Sequence, residues 1–225
     1  MTSALFTPLS IRSTEFRNRL WVSPMCQYSC EDHDGVVGDW HLATLGSFAQ
    51  GGAGLVMAEA TAVVPEGRIS PWCPGIWEDD QQEAWKRVVD FIHSQGAKAG
   101  IQLAHAGRKA STYRDWSGHG SVPVEDGGWT TVAPSPIAFP GYAEPNGLST
   151  DEINDVVYAF GQSAARALAA GFDVLEVHAA HGYLIHQFLS PLSNDRTDDY
   201  GGSIVNRARL LLNVVREVRA RLEEA

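Results

Sequence analysis

A chain of 225 residues that is 44% hydrophobic has the length for one large domain and the apolar content to fill its core. Its 17 basic and 27 acidic side chains leave a formal charge of −10, which argues against nucleic acid or an anionic membrane as main partner, since both are polyanions. Three cysteines at irregular spacing (Cys26, Cys30, Cys73) do not form a disulfide framework, and the sequence shows no signal peptide and no apolar run near the ~18 residues of a membrane span, so the expectation is a cytoplasmic protein.

Taken in chain order, residues 9–12 and 15–17 pair as a small hairpin, placed as a plug at one end of the domain. The apolar run 20–22 reads as a first strand, followed by a helix with Leu42, Leu45 and Ala49 on one face. A second run, 54–58, is followed by Trp85, Val88, Val89 and Ile92 at helical spacing, with Gly96 as the stop. The third run, 97–103, precedes a long segment rich in Gly, Pro, Ser and Trp at 105–148. Segments of that length are usually functional lids or disordered, and Tyr113, Trp116, Trp129, Phe139 and Tyr142 argue for an ordered lid. Ser149 caps the third helix, with Glu152 completing a capping box, and Ile153, Val156, Val157 and Phe160 give its apolar face. Gly171 stops it before the fourth run, 173–177, and Leu211, Val214, Val215 and Val218 mark a last helix.

Strand–helix alternation repeated four times implies a parallel sheet with right-handed crossovers, either doubly wound or a (β/α) barrel. A doubly wound dinucleotide fold opens with a glycine-rich turn after its first strand, whereas here that turn is Ser23-Pro24-Met25-Cys26. The barrel is favoured.

Barrel active sites collect at the C-terminal ends of the strands. Those ends supply Ser23 to Tyr28, then Glu59 and Ala60, then Gln102 with His105 beyond it, then His178, His181 and Tyr183. In a continuing strand, positions 178 and 181 would face opposite ways, so a turn at Gly182 is needed to bring them together. Two imidazole N–H groups would then hold a carbonyl or phenolate oxygen and stabilise negative charge developing on it, with Tyr183 as proton donor. Gln102 both donates and accepts hydrogen bonds, which suits the pyrimidine edge of a flavin. Cys26 reads either as a small buried hydrophobe or as a group near a redox centre. Arg108 and Lys109 read as lid surface. A zinc site on His-x-x-His has no further ligand at a recognised spacing.

Six motifs resemble, in order, those of the Old Yellow Enzymes: Ser23-Pro24-Met25-Cys26-Gln27-Tyr28; Gly67-Arg68-Ile69-Ser70; Gln102-Leu103-x-His105-x-Gly107-Arg108; His178-Ala179-Ala180-His181-Gly182-Tyr183-Leu184; Phe188-Leu189-Ser190-Pro191; and Asn194-x-Arg196-x-Asp198-x-Tyr200-Gly201-Gly202-Ser203-x-x-Asn206-Arg207. The Cys after Ser-Pro-Met resembles the bacterial thermophilic-like NADPH dehydrogenases. The resemblance implies a TIM barrel holding FMN, reduced by NADPH, that passes hydride to the β-carbon of an activated alkene in ping-pong order. It implies that Ser23, Pro24, Met25, Cys26, Ala60 and Gln102 contact flavin. His178 and His181 would hold the substrate oxygen, Tyr183 would protonate the α-carbon, and Tyr28 would reach the substrate.

The chain departs from the family in length, since an eight-stranded barrel needs four more βα units, and in carrying Val205 where the family has Glu. Residues 1–225 are therefore expected to be one barrel domain, C-terminally incomplete, with two open sheet edges and weak FMN binding for want of a phosphate site. A homo-oligomer or a complementing chain would cover those edges. Two other readings stay open: a non-catalytic half-barrel that binds a partner chain or a small ligand, and a metal-dependent hydrolase using His105, His178 and His181.

Overall fold

A computed structural model describes residues 3–223. The expected domain's outermost residues, 1–2 and 224–225, lie outside the described residues. Strands β3 (Trp21–Val22), β4 (Leu55–Ala62), β5 (Lys98–Ala104) and β8 (Val174–Val177) form one parallel sheet in the order β3-β4-β5-β8. Helices α1 (Asp39–Gln50), α2 (Asp79–Ser94) and α3 (Thr150–Ala169) cross over between them, and α4 (Leu184–Leu189), α5 (Ile204–Arg207) and α6 (Arg209–Glu223) follow β8. Strand order equal to chain order, with a helix at each crossover, is half of a (β/α) barrel.

The pleat sends alternate residues to opposite faces. Val56 and Ala58 of β4 and Ala99, Ile101 and Leu103 of β5 face the helices, where Trp85, Val89, Ile92, Ile153 and Phe160 meet them in the main core. Each Val, Ile, Leu or Phe side chain among them contributes roughly 1.5–3 kcal/mol on full burial. Trp85 is wholly buried and still satisfies its indole N–H on the Gly75 carbonyl at 3.1 Å. On α6 the buried residues are Leu210, Val214 and Val218, one above the other at i, i+4, i+8, while Val215 is 37% exposed. The face is rotated from the expected one, because α6 packs chiefly on α3 and buries a narrower stripe.

The other face of the sheet is concave. The antiparallel hairpin β1 (Leu9–Ile11) and β2 (Thr14–Phe16) sits at its N-terminal end, where Phe16 packs on Leu55 and Met57. Arg17 fastens it, donating to the carbonyls of Ala49, Ala53 and Gln95 at 2.7–3.0 Å. Beyond the hairpin an open apolar hollow of about 330 Å³ runs between Trp21, Val22, Leu55, Met57 and Val174. Strands β3 and β8 carry the sheet's two outer edges.

Two strands are longer than the sequence reading. β4 continues to Ala62 through a register shift between Ala58 and Ala60, and β5 continues to Ala104. Glu59 and Ala60 therefore lie within β4 rather than after it, while Gln102 lies inside β5 as its run implied. A bulge at Glu59 carries β4 past the point where its apolar run stops.

The segment after β5 is ordered by hydrogen bonds. β6 (Val132–Ala133) and β7 (Asn146–Gly147) pair in parallel, the Trp129 indole donates to Glu66 O at 2.9 Å, and Phe139 meets Tyr142 edge-on at 5.2 Å. The motif from Asn194 to Tyr200 clasps it. Arg196 is paired with Asp198 at 2.5 Å and donates to the carbonyls of Pro134 and Leu148, and Asn194 donates to the Phe188 and Tyr200 carbonyls. No helix among the described residues is long and apolar enough to cross a membrane.

Candidate active site

The chain does turn after β8. His181 takes φ +56° and Gly182 φ +76°, two left-handed residues in succession. This brings the His178 and His181 rings to 5.1 Å, edge to face, and the Tyr183 ring to 4.9 Å from His178. His178 is buried and His181 is exposed. The Ala180 N–H donates to His178 Nδ1 at 3.2 Å, so the neutral ring carries its proton on Nε2. Burial and then the His181 ring hold His178 below its ordinary pKa, which keeps it neutral. Burial raises the Tyr183 phenol, followed by the nearby Cys26 and Cys73, so it keeps its proton.

Gln187 supports this turn and has no signal in the sequence beyond lying in an apolar helix. It is 1% exposed and donates to Ala106 O at 3.0 Å and Gly182 O at 2.7 Å, while its Oε1 accepts from Arg108 N–H at 3.2 Å. One amide thus staples the turn after β8 to the turn after β5. A Cβ at Gly107, which has φ +60°, would fall 2.3 Å from that Oε1.

Cys26, Tyr28 and Tyr183 pack against Ala60, Ile69, Cys73 and Ala104 in a second apolar cluster at the mouth of the sheet. Tyr28 has φ +54°, which turns the segment after β3 back over β4. Burial and then the charge of Glu59 push the Cys26 thiol up to about 12, opposed by the Ala60 N–H and the Tyr28 hydroxyl. Burial likewise raises Tyr28. Ser23 and Met25 are exposed at the rim, Met25 by half its surface, with Pro24 between them. Gln102 donates one amide hydrogen to Glu176 at 2.8 Å, leaving its carbonyl oxygen as an acceptor on the concave face.

Tyr28 and Tyr183 face Tyr113, Asp115, His119 and Tyr142 across a cleft of about 210 Å³. Lys109 lines this cleft too, contrary to its reading as lid surface. Its ammonium lies 4.9 Å from the Tyr183 ring centroid and donates to His181 O at 2.9 Å, so the 3-10 turn Gly107–Lys109 lies against the turn after β8. Arg108 does point away, to the Ile137 carbonyl.

His105 does not join the other histidines. It faces a separate cavity of about 150 Å³ with Glu66 and Asp155, and burial lowers its pKa to about 4. Its Nδ1 accepts from the Gly107 N–H at 3.0 Å. Among the described residues no three His, Cys, Asp or Glu side chains stand together as metal ligands. The hydrolase reading needed His105, His178 and His181 on one centre, and the fold separates them.

Residues 4–225 match the family model described as NADH:flavin oxidoreductase / NADH oxidase. An NADH:flavin oxidoreductase of Gibberella zeae is 49% identical over 228 residues, covering 99% of this chain and 55% of its own length. An NADPH dehydrogenase of Listeria welshimeri is 49% identical over 218 residues, covering 96% of this chain and 60% of its own. The crystal structure of an Old Yellow Enzyme from Pichia sp. superposes with a TM-score of 0.84 at 33% identity, covering 97% of this chain and 56% of that one. The chain therefore spans little more than half the length of these relatives. With strand order, site turn and family model in agreement over nearly every residue present, this chain belongs to the NADH:flavin oxidoreductase / NADH oxidase family.

Proposed function

We propose that this chain carries the substrate half of an FMN-dependent ene-reductase, which reduces the C=C bond of α,β-unsaturated carbonyl compounds with NADPH. The observation that carries the reading is the turn after β8, where two imidazoles and a phenol meet beside the mouth of the sheet. The residues present fit a flavin ring. The small side chains of Ala60 and Ala104 leave a low floor in the cluster at the mouth of the sheet. The Gln102 carbonyl oxygen offers a polar edge contact, and Ser23, Pro24, Met25 and Cys26 form the rim.

Bound there, FMN supplies the hydride chemistry. The chain's own residues orient and polarise. The Nε2–H of His178 and a ring N–H of His181 hold the carbonyl oxygen and stabilise the charge that grows on it. Tyr183 holds a proton for the α-carbon, and Tyr28 closes the opposite side of the cleft. We further propose that residues 1–225 act as one domain with 105–148 as its lid, working inside the cell on a small activated alkene. The partner that covers the concave face is a second copy or a complementing chain.

The visible spectrum of the purified chain after addition of FMN, before and after anaerobic NADPH, tests this reading. With FMN in large excess over protein, to match the weak binding expected, a protein-bound flavin band bleached by NADPH is the predicted result. A colourless protein that leaves FMN free in solution overturns it for this chain. A second reading, a non-catalytic half-barrel, is favoured by the open 330 Å³ apolar hollow. It predicts a colourless protein that elutes as an oligomer on sizing chromatography.

A further inference from the structure

The cleft beside Tyr183 holds a charge that the proposed reduction leaves unused. The chain has three lysines. Lys86 pairs with Asp90 and Lys98 with Asp173, each at 2.8 Å. Lys109 is half-buried and, among the described residues, has no carboxylate partner. An ammonium carries three donors. One of them goes to His181 O at 2.9 Å. The ring faces of Tyr183 and Phe139, at 4.9 and 5.0 Å, attract the cation but offer it no oxygen. Arg108 adds a like charge next to it in sequence, and burial and then that guanidinium lower the Lys109 pKa. Asp115 and His119 also line the cleft, but both are exposed and neither pairs with the ammonium.

A cation drawn partly out of water with no counter-charge is costly, and an anion beside it offsets that cost. A carboxylate suits the place. It can accept the two remaining N–H groups in charge-assisted hydrogen bonds. The chain as a whole, at −10, repels anions, so an anion that settles in this cleft is drawn by the local cation. The ammonium lies against the ring of Tyr183, which in the proposed reduction protonates the α-carbon. The anionic group therefore belongs on the α-carbon side of the substrate.

We propose that Lys109 is a specificity-determining residue whose ammonium receives a carboxylate on the α-carbon side of the substrate, so that the site takes unsaturated carbonyl compounds bearing an anionic arm. The placing of that arm rests on the ene-reductase reading. The preference for an anion rests on the contacts of Lys109 and is measured without turnover.

The probes are (2-oxocyclohexyl)acetate and its primary amide, a matched anionic and neutral pair with no C=C bond to reduce. Their binding to the full chain at pH 7, with FMN in excess, is read by saturation-transfer NMR. The acid is expected to bind about tenfold tighter than the amide, the scale of one hydrogen bond to a charged group. Added salt should narrow that gap. Lys109→Met keeps an apolar stem against the two rings and should erase the gap, whereas Lys109→Arg should keep most of it. If Lys109→Met does not fold, Lys109→Gln, which can still donate a hydrogen bond, should erase it instead. Equal binding of acid and amide by the parent chain, or no binding of the acid, overturns the proposal. So does a gap that persists in the uncharged variants. A Lys109-dependent preference in a chain that reduces no enone would keep this inference and sink the ene-reductase reading. Enone reduction without the preference would do the reverse.

Discussion

Replacing Tyr183 with Phe removes one oxygen and little else. The ring keeps its edge contact with His178 at 4.9 Å and still lies under the Lys109 ammonium at 4.9 Å. The phenol oxygen makes no hydrogen bond that holds the turn, which rests on Gln187 and on the Leu184 N–H donating to His105 O at 2.9 Å. The variant should therefore melt within about 1 kcal/mol of the parent, in the range of surface-like changes. Its chemical cost should be large, because a positioned general acid is worth on the order of 10²–10⁴-fold. That cost falls only on the step that consumes the proton. In stopped-flow experiments on FMN-loaded protein, reduction by NADPH should change by less than about threefold. Reoxidation by 2-cyclohexenone should slow by about 100-fold or more. Because Tyr183 is held protonated, the parent's alkene step should show no break near the ordinary phenol range. Equal slowing of both half-reactions, or an unchanged alkene step, would refute Tyr183 as proton donor.

Three further outcomes follow from the fold. His105 is buried neutral, with its pKa lowered from 6.5 to about 4, so the unfolded state binds its proton first as pH falls. Stability should be complete above pH 6.5 and fall by on the order of 3 kcal/mol down to about pH 4; in His105→Gln, chemical denaturation should show that slope reduced. Asp173 is held below 3.8 despite burial, by Lys98 at 2.8 Å, the Ala99 N–H at 2.9 Å and His93 at 2.7 Å. Its contribution is present above the unfolded value of 3.8 and lost as pH falls through the folded one. Asp173→Asn keeps an acceptor for Ala99 but loses the partly exposed ion pair with Lys98, and should cost about 1 kcal/mol at pH 7 by urea titration, a cost that shrinks as pH falls below 3.8. Ser149→Ala removes the cap that accepts from Glu152 N–H at 3.3 Å and should lower stability by about 1 kcal/mol, or ~2–4 °C in melting temperature.

The four core strands and the helices between them were legible because buried parallel strands leave continuous apolar runs and their covering helices leave 3.6-residue periods. The Ser149–Glu152 box formed at the start of α3 as its spacing predicts. Strand ends were less legible. Glu59 interrupts the second apolar run, yet the ladder continues through it to Ala62 by a register shift. The turn joining His178 to His181 was readable from Gly182, although half of it is a left-handed histidine, which no propensity announces. Lys109 and Gln187 were missed for one shared reason. Their roles come from contacts 72 to 81 residues away in sequence, which local pattern does not contain.

If the site works as proposed, it delivers hydride to the β-carbon of an activated alkene and a proton to its α-carbon. Isotope tracing reads both deliveries at once: FMN-loaded protein, anaerobic NADPH carrying deuterium at the transferable position, and 2-cyclohexenone, with the product read by mass spectrometry and NMR. Saturated ketone with deuterium at the β-carbon is expected. When the solvent is D₂O and the NADPH unlabelled, an α-carbon label should form faster than exchange of the ketone alone. Recovery of unreduced enone from protein that binds FMN and is bleached by NADPH would contradict the proposed chemistry.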